Sequence, residues 1–145
     1  YRDEYRKALG DRRGDFEVQL FHEWLQQQQL PVLQSDAAFK LFAHCTEKTS
    51  LPATEKSWQQ IFTAAGLKLD VVAVGCCGMA GSFGYEKEHY DLSMQIGELV
   101  LLPAVRNQLS DTIIAAPGTS CRHQVKDGTG KKALHPVEVL FDALK

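Results

Sequence analysis

The chain contains 145 residues with a formal net charge of −2, and 44% of its residues are hydrophobic and 23% are charged. These values are typical of a single globular domain that buries its core without disulfide bonds. The near-neutral charge argues against a nucleic-acid partner, and no apolar run approaches the roughly 20 residues that cross a membrane.

The first part of the chain predicts helices and no strand. A helix is expected over residues 3–9, and Asp15 is placed to cap a second helix that ends before Pro31. The chain opens without a methionine, and its charged first residues do not have the pattern of a secretory signal peptide. We therefore interpret residues 1–35 as a helical linker from a missing upstream part, and we expect a reducing, cytoplasmic compartment.

Three apolar segments predict buried strands, over residues 38–44, 69–74 and 112–116. The first two strands are separated by a polar loop over 46–52 and by a helix over 58–65. That helix has large apolar residues at offsets of three and four, which place them on one face.

The second half of the chain predicts a glycine-rich loop over residues 75–84, followed by a long helix over 85–102. Residues 117–123 are interpreted as the exit loop of the third strand. A turn is expected at 127–130, and a proline then begins a last helix over 136–144.

Strands that alternate with helices predict an α/β fold: a small, open, mostly parallel sheet with helices on both faces. In such sheets, ligands bind outside the carboxyl ends of the strands. The first predicted strand runs into Cys45, the second into Cys76 and Cys77, and the third into Cys121. We therefore expect the four sulfurs to lie at the C-terminal edge of the sheet and to form one site.

Thiolates are soft ligands, which favour iron–sulfur clusters, zinc or copper(I). Zinc sites with four thiolates usually use two short cysteine knuckles, whereas here two cysteines are adjacent and the others are distant in sequence. Adjacent thiolates can reach different iron atoms of a cluster. The pattern therefore favours an iron–sulfur centre bound by Cys45, Cys76, Cys77 and Cys121, with structural zinc as the alternative.

Residues beside the cysteines are expected to surround the centre rather than to catalyse: His44, Gly78, Gly81, Arg122 and His123. Glycines let backbone N–H groups approach sulfur, and such hydrogen bonds tune the reduction potential. The arginine either offsets negative charge or is solvated. The histidines are expected beside the ligands or at the surface, and a role as a further ligand or proton carrier is the less favoured alternative. A third interpretation is a thiol enzyme that uses one cysteine of lowered pKa, for which Cys45 is the candidate.

The segments 44–45, 75–81 and 116–124 carry a resemblance to a known family. They resemble the cysteine-rich CCG domain of heterodisulfide reductase subunits and of the iron–sulfur subunits of glycolate and glycerol-3-phosphate oxidoreductases. The nearest resemblance is to the C-terminal domain of bacterial FAD-linked oxidases of the D-2-hydroxy-acid, D-2-hydroxyglutarate-like, dehydrogenase type. We expect this domain to occupy residues 36–145.

The resemblance implies a thiolate-bound iron–sulfur centre, or zinc in some members, that passes electrons from flavin to an acceptor. FAD and a ferredoxin-like cluster domain would lie upstream on the same polypeptide, so this domain alone would not be catalytic. The family pattern has a further cysteine where this chain has Gly118, so the resemblance implies a centre with four thiolates here. The acceptor and the hydroxy acid are unspecified, and through the acceptor the enzyme could lie peripherally at the inner membrane.

Overall fold

A computed structural model describes residues 2–145, apart from the side chains of residues 2, 3 and 13. Within this part of the chain, no helix is long and apolar enough to span a bilayer. In chain order the elements are α1 Arg2–Leu9, α2 Phe21–Leu25, β1 Phe39–Leu41, α3 Cys45–Ser50, α4 Thr54–Ala64, β2 Leu69–Val71, α5 Tyr90–Leu99, α6 Leu101–Arg106, β3 Ile113–Ala115, α7 Thr119–Thr129, β4 Ala133–Leu134 and α8 Pro136–Ala143.

The four strands form one sheet in the order β2-β1-β3-β4, and all of its pairs are parallel. Phe39 pairs with Leu69 on one side and with Ile113 on the other, which places β1 inside the sheet. The predicted parallel α/β fold is therefore confirmed. The chain leaves β1 toward β2 and then crosses to β3 on the opposite side. The carboxyl ends of β1 and β3 consequently border the crevice where sheets of this kind bind ligands.

A hydrophobic core lies on each face of the sheet. Successive residues of a strand point to opposite faces, so Ala115 packs in one core and Ile114 in the other. Side chains of α4 and α8 complete the first core, and side chains of α6 and α7 complete the second. Helices therefore cover both faces, as predicted. The second core includes Cys77 and Cys121, so the centre is continuous with the packed interior on that face.

The second predicted helix is shorter than expected, and the prediction that Asp15 caps it is wrong. Helix α2 begins at Phe21, where the Glu23 carboxylate accepts the backbone N–H of Leu20 at 2.8 Å. This part of the chain packs against the first core through Leu25, Leu30 and Leu33.

Two predicted loops are partly helical. The loop predicted over 46–52 is mostly helix α3, which has no apolar stripe and is capped by His44, whose Nδ1 accepts the Thr46 N–H at 3.2 Å. The exit loop predicted over 117–123 is interrupted by α7, which begins at Thr119. The cysteines that follow β1 and β3 therefore both lie in the first turn of a helix.

The helix predicted over 85–102 begins only at Tyr90 and is divided at Val100 into α5 and α6, and α6 continues to Arg106. The turn predicted at 127–130 begins too early, because Gly128 still belongs to α7. A Cβ on Gly128 would lie 2.5 Å from Leu102, so the glycine allows α6 and α7 to pack closely. Helix α7 ends at Thr129 and is followed by Gly130, whose φ of +71° is left-handed. The two-residue strand β4 comes next and was not predicted.

Candidate metal centre

The four cysteines lie on three connections at the carboxyl edge of the sheet. Cys45 is the first residue of α3, and Cys121 lies in the first turn of α7, so these two flank the crevice between β1 and β3. Cys76 and Cys77 lie in the loop that follows β2. All four are free thiols. Cys77 and Cys121 are buried, whereas the other two are partly exposed.

The thiols interact as two neighbouring pairs. A hydrogen bond from the Cys121 thiol is the chief reason that the pKa of Cys77 is lowered to about 6. The same hydrogen bond raises the pKa of Cys121, because its proton is the one that is donated. Cys45 forms a hydrogen bond with Cys76, whose pKa is raised chiefly by burial. Charges on Cys45 and Cys76 also raise the pKa of Cys121, so the structure brings all four side chains together.

Backbone N–H groups of the glycine-rich loop point at two of the sulfurs. The N–H of Gly78 donates to Cys76 Sγ at 3.3 Å. The N–H of Met79 donates to Cys77 and contributes to the lowering of its pKa. Both bonds stabilise a thiolate, and such bonds persist when a thiolate binds metal.

Gly78 and Gly81 have different roles in this loop, although both have a left-handed φ. A Cβ on Gly78 would lie 2.0 Å from the carbonyl oxygen of Ser93, so the glycine lets the loop pack directly on the backbone of α5. A Cβ on Gly81 would meet nothing within 4 Å, so this glycine serves the turn alone. Buried Gln124 of α7 donates to the same Ser93 carbonyl at 3.1 Å and ties the two helices together behind the loop.

Arg122 and His123 support the surrounding loops. The Arg122 guanidinium donates to the carbonyls of Ala116 and Pro117 at 2.9 and 2.7 Å, which fixes the connection between β3 and α7. The exposed His123 ring has its Nδ1 2.9 Å from the Tyr85 hydroxyl, so it links α7 to the loop after β2. Both residues therefore hold the segments that carry the cysteines.

His44 lies closest to the thiols among the predicted histidines. Its imidazole contributes to the lowered pKa of Cys77, and its Nε2 is 3.5 Å from Ser120 Oγ. Ser120 hydrogen-bonds to Cys77 and lowers its pKa further. Sequence reasoning missed Ser120, for which the available signal was its place directly before Cys121 at the start of a helix.

Glu47 is a second residue that sequence reasoning missed. It lies in the first turn of α3, and burial is the main reason that its pKa is raised. Its Oε2 is buried and has no hydrogen-bond partner among the residues that the structure describes. Its position two residues after Cys45 was the only sequence signal.

The four thiols fit a metal centre by their chemistry and number rather than by their present arrangement. Across residues 2–145, no three His, Cys, Asp or Glu side chains are arranged to hold a single metal ion. Instead, the cysteines pair by sharing thiol hydrogens. Metal binding requires deprotonated thiolates, which would remove these hydrogen bonds and leave four soft donors at one edge. Four thiolates supported by backbone N–H groups are the donor set of iron–sulfur centres.

The model of the CCG family of cysteine-rich domains matches residues 39–126, more than half of the chain. The chain therefore belongs to this family, as its cysteine motifs predict. It is 46% identical to D-2-hydroxyglutarate dehydrogenase of Pantoea ananatis (strain AJ13355) over 99% of the chain, and 43% identical to that of Escherichia coli (strain K12) over all of it. One subunit of the anaerobic glycerol-3-phosphate dehydrogenase of Escherichia coli (strain K12) is 34% identical over 54% of the chain.

These relatives are much longer than this chain. It spans 14% of the length of the two D-2-hydroxyglutarate dehydrogenases, and its match covers 19% of the glycerol-3-phosphate dehydrogenase polypeptide. No solved structure gives a significant match to the chain. These relatives are named as dehydrogenases. A cysteine-rich domain of this kind therefore occurs as a part of oxidoreductases.

Proposed function

We propose that this chain is the iron–sulfur, electron-transferring domain of a flavin-dependent 2-hydroxy-acid oxidoreductase. Cys45, Cys76, Cys77 and Cys121 would bind the cluster, which accepts and releases single electrons when bound. FAD and a ferredoxin-like cluster domain would belong to the upstream part of the polypeptide, which would oxidise the hydroxy acid. Residues 1–35 would connect that part to the cysteine-rich domain.

The observation that carries the proposal is the meeting of four cysteines from three separate strand exits. Two of them lie in the first turns of helices at the crevice, and backbone amides at a helix start favour negative charge on a thiolate. Burial of Cys77 and Cys121 keeps water from that side of the centre, and the partly exposed Cys45 and Cys76 lie toward the surface. A centre that is buried on one side and open on the other suits exchange of electrons with a partner.

The two alternative functions make different demands on these residues. A structural zinc ion needs four sulfurs that converge on one point, and the adjacent Cys76 and Cys77 form contacts with different partners. A thiol enzyme needs a reactive thiolate that a substrate can reach. The thiol whose pKa is lowered is that of Cys77, and Cys77 is only 2% exposed. Burial therefore argues against a nucleophilic role.

Metal analysis of the full polypeptide, purified without oxygen, separates the three functions when Cys76→Ser is measured beside the wild type, because the upstream cluster domain contributes the same iron to both. We expect the wild type to hold more iron and acid-labile sulfide than the variant. A difference in zinc alone would support the structural module, and no difference in either metal would support the thiol enzyme. Anaerobic reconstitution of Cys76→Ser with iron and sulfide should give less visible absorbance than the wild type, because a neutral hydroxyl replaces a soft thiolate poorly. Equal iron uptake by this variant would remove Cys76 from the ligands.

Electron transfer is tested by Cys77→Ser in the full polypeptide, followed by stopped flow. Flavin reduction by the hydroxy acid should stay nearly unchanged, whereas reoxidation by the acceptor should slow at least tenfold, because hydride leaves the substrate at the flavin before the centre acts. A matched control is Ala65→Ser, which introduces a hydroxyl into the first core, on the face of the sheet that has no cysteine. Normal reoxidation in a folded, cluster-free Cys77→Ser protein would contradict the proposed relay.

A further inference from the structure

The imidazole of His44 occupies the space that a side chain at position 118 would need, and residue 118 is a glycine. A Cβ on Gly118 would lie 2.3 Å from His44 Cδ2 and 2.9 Å from its Cγ. The backbone at Gly118 has φ −72° and ψ 124°, which any residue can adopt. The position of the imidazole, and not the backbone conformation, therefore requires a glycine here.

Both ring nitrogens of His44 have a defined partner. Nδ1 accepts the backbone N–H of Thr46 at 3.2 Å, which assigns the proton of the neutral imidazole to Nε2. Nε2 lies 3.5 Å from Ser120 Oγ, at the long end of the hydrogen-bond range. Because Nε2 carries the proton, the ring is the donor and the hydroxyl oxygen is the acceptor. The hydroxyl hydrogen of Ser120 is then directed to the sulfur of Cys77.

We propose that His44 is a positioning residue of the thiol centre. Its imidazole, admitted by Gly118, orients the Ser120 hydroxyl toward the Cys77 sulfur. Hydrogen bonds to sulfur ligands stabilise the negative charge that a cluster gains on reduction, so they raise its reduction potential. Loss of the His44 contact should therefore shift the potential to a more negative value. This readout rests on the proposed function, because it requires a redox-active group on the four sulfurs.

Two replacements of His44 separate helix capping from the contact with Ser120. His44→Asn keeps a side-chain oxygen that can cap α3, but its side chain is too short to reach Ser120. His44→Gln places an amide N–H near the Nε2 position and loses the capping atom. In the full polypeptide reconstituted with iron and sulfide, we expect a more negative potential for His44→Asn at nearly wild-type melting temperature. His44→Gln should show the reverse: a nearly wild-type potential and a lower melting temperature.

The steric part of the inference is tested by Gly118→Ala, alone and with His44→Ala. The added methyl group must displace the imidazole, so Gly118→Ala should shift the potential as far as His44→Asn does and should lower the melting temperature. In the His44→Ala background, the same methyl group should cause no further shift and no further loss of stability. Gly75→Ala is the matched control beside the cysteines, because its Cβ would meet only Val100 at an ordinary 3.8 Å.

Two results would overturn the inference. The first is an unchanged potential in His44→Asn. The second is a Gly118→Ala effect that persists in the His44→Ala background, since the methyl group would then act directly on Cys121 Sγ, which lies 3.2 Å from the Cβ position. If the wild type takes up no more iron than Cys76→Ser, the proposed function fails. The contact between Gly118 and His44 is then still decided by the melting temperatures, because a loss of stability in Gly118→Ala that persists in the His44→Ala background overturns it.

Discussion

At the scale of single residues, the thiols of the centre differ in pKa, so they lose their protons at different pH values. The hydrogen bond from Cys121 lets Cys77 ionise near pH 6, whereas Cys121 keeps its proton well above the usual range of a thiol. The pair therefore holds one proton between two sulfurs over a wide range of pH. A metal that binds here must displace that remaining proton, so uptake should be favoured at higher pH.

The metal-free protein should have a stability that depends on pH with a maximum near pH 9. An unfolded cysteine titrates near pH 9, whereas folded Cys77 titrates near 6, so between these values the unfolded state binds more protons and stability rises with pH. Above pH 9 the sign reverses, because folded Cys121 retains a proton that the unfolded state has lost. Urea unfolding of the reduced, metal-free full polypeptide between pH 6 and 10 measures both slopes.

Cys121→Ala is the variant that checks the origin of this dependence. It removes the hydrogen-bond donor that lowers the pKa of Cys77. We expect a flatter rise in stability between pH 6 and 9 and no fall above pH 9 that is due to this pair. A profile identical to that of the wild type would show that other groups produce the pH dependence.

At the scale of elements, sequence patterns predicted three of the four strands and the last helix, because long apolar runs and Pro136 give strong local signals. They missed α3, whose six residues have no apolar stripe and whose start depends on capping by His44. They also missed the contact between His44 and Ser120, which are 76 residues apart in sequence. Strand exits could therefore predict where the cysteines gather, whereas the contacts around them follow from helix starts and tertiary packing.

The loop after β2 and helix α5 are joined by a contact that only glycine permits. Gly78→Ala would place a methyl group 2.0 Å from the Ser93 carbonyl oxygen at a left-handed φ, so we expect a loss of about 2–5 kcal/mol in the free energy of unfolding. Gly81→Ala has the same backbone strain without a clash and should cost about 1–2 kcal/mol. Denaturant unfolding of both variants measures the difference. Equal losses would mean that backbone strain alone explains the glycine at 78.

At the scale of the whole molecule, the sheet divides the interior into two hydrophobic cores, and only one of them includes cysteines of the centre. The first core contains Phe62 and Trp58 and includes no cysteine. The second contains Cys77 and Cys121 together with apolar side chains of α6 and α7. The thiols on this face are therefore part of the packing, and the strand order places them beside the crevice between β1 and β3. A change in the second core should reach the centre, whereas one in the first should not.

Matched truncations in the two cores test this division. Ile61 and Leu101 are 1% and 2% exposed and belong to the first and second core, respectively. Each change to alanine should lower the free energy of unfolding by about 2–5 kcal/mol, because each leaves a cavity of similar size. Only Leu101→Ala should also change the centre, seen as faster thiol labelling in the metal-free protein and as lower iron content after reconstitution. Labelling and iron content are compared at a temperature where both variants of the full polypeptide are folded. A similar change at the thiols in Ile61→Ala would show that the sheet does not separate the two cores, and that the centre responds to general loss of stability.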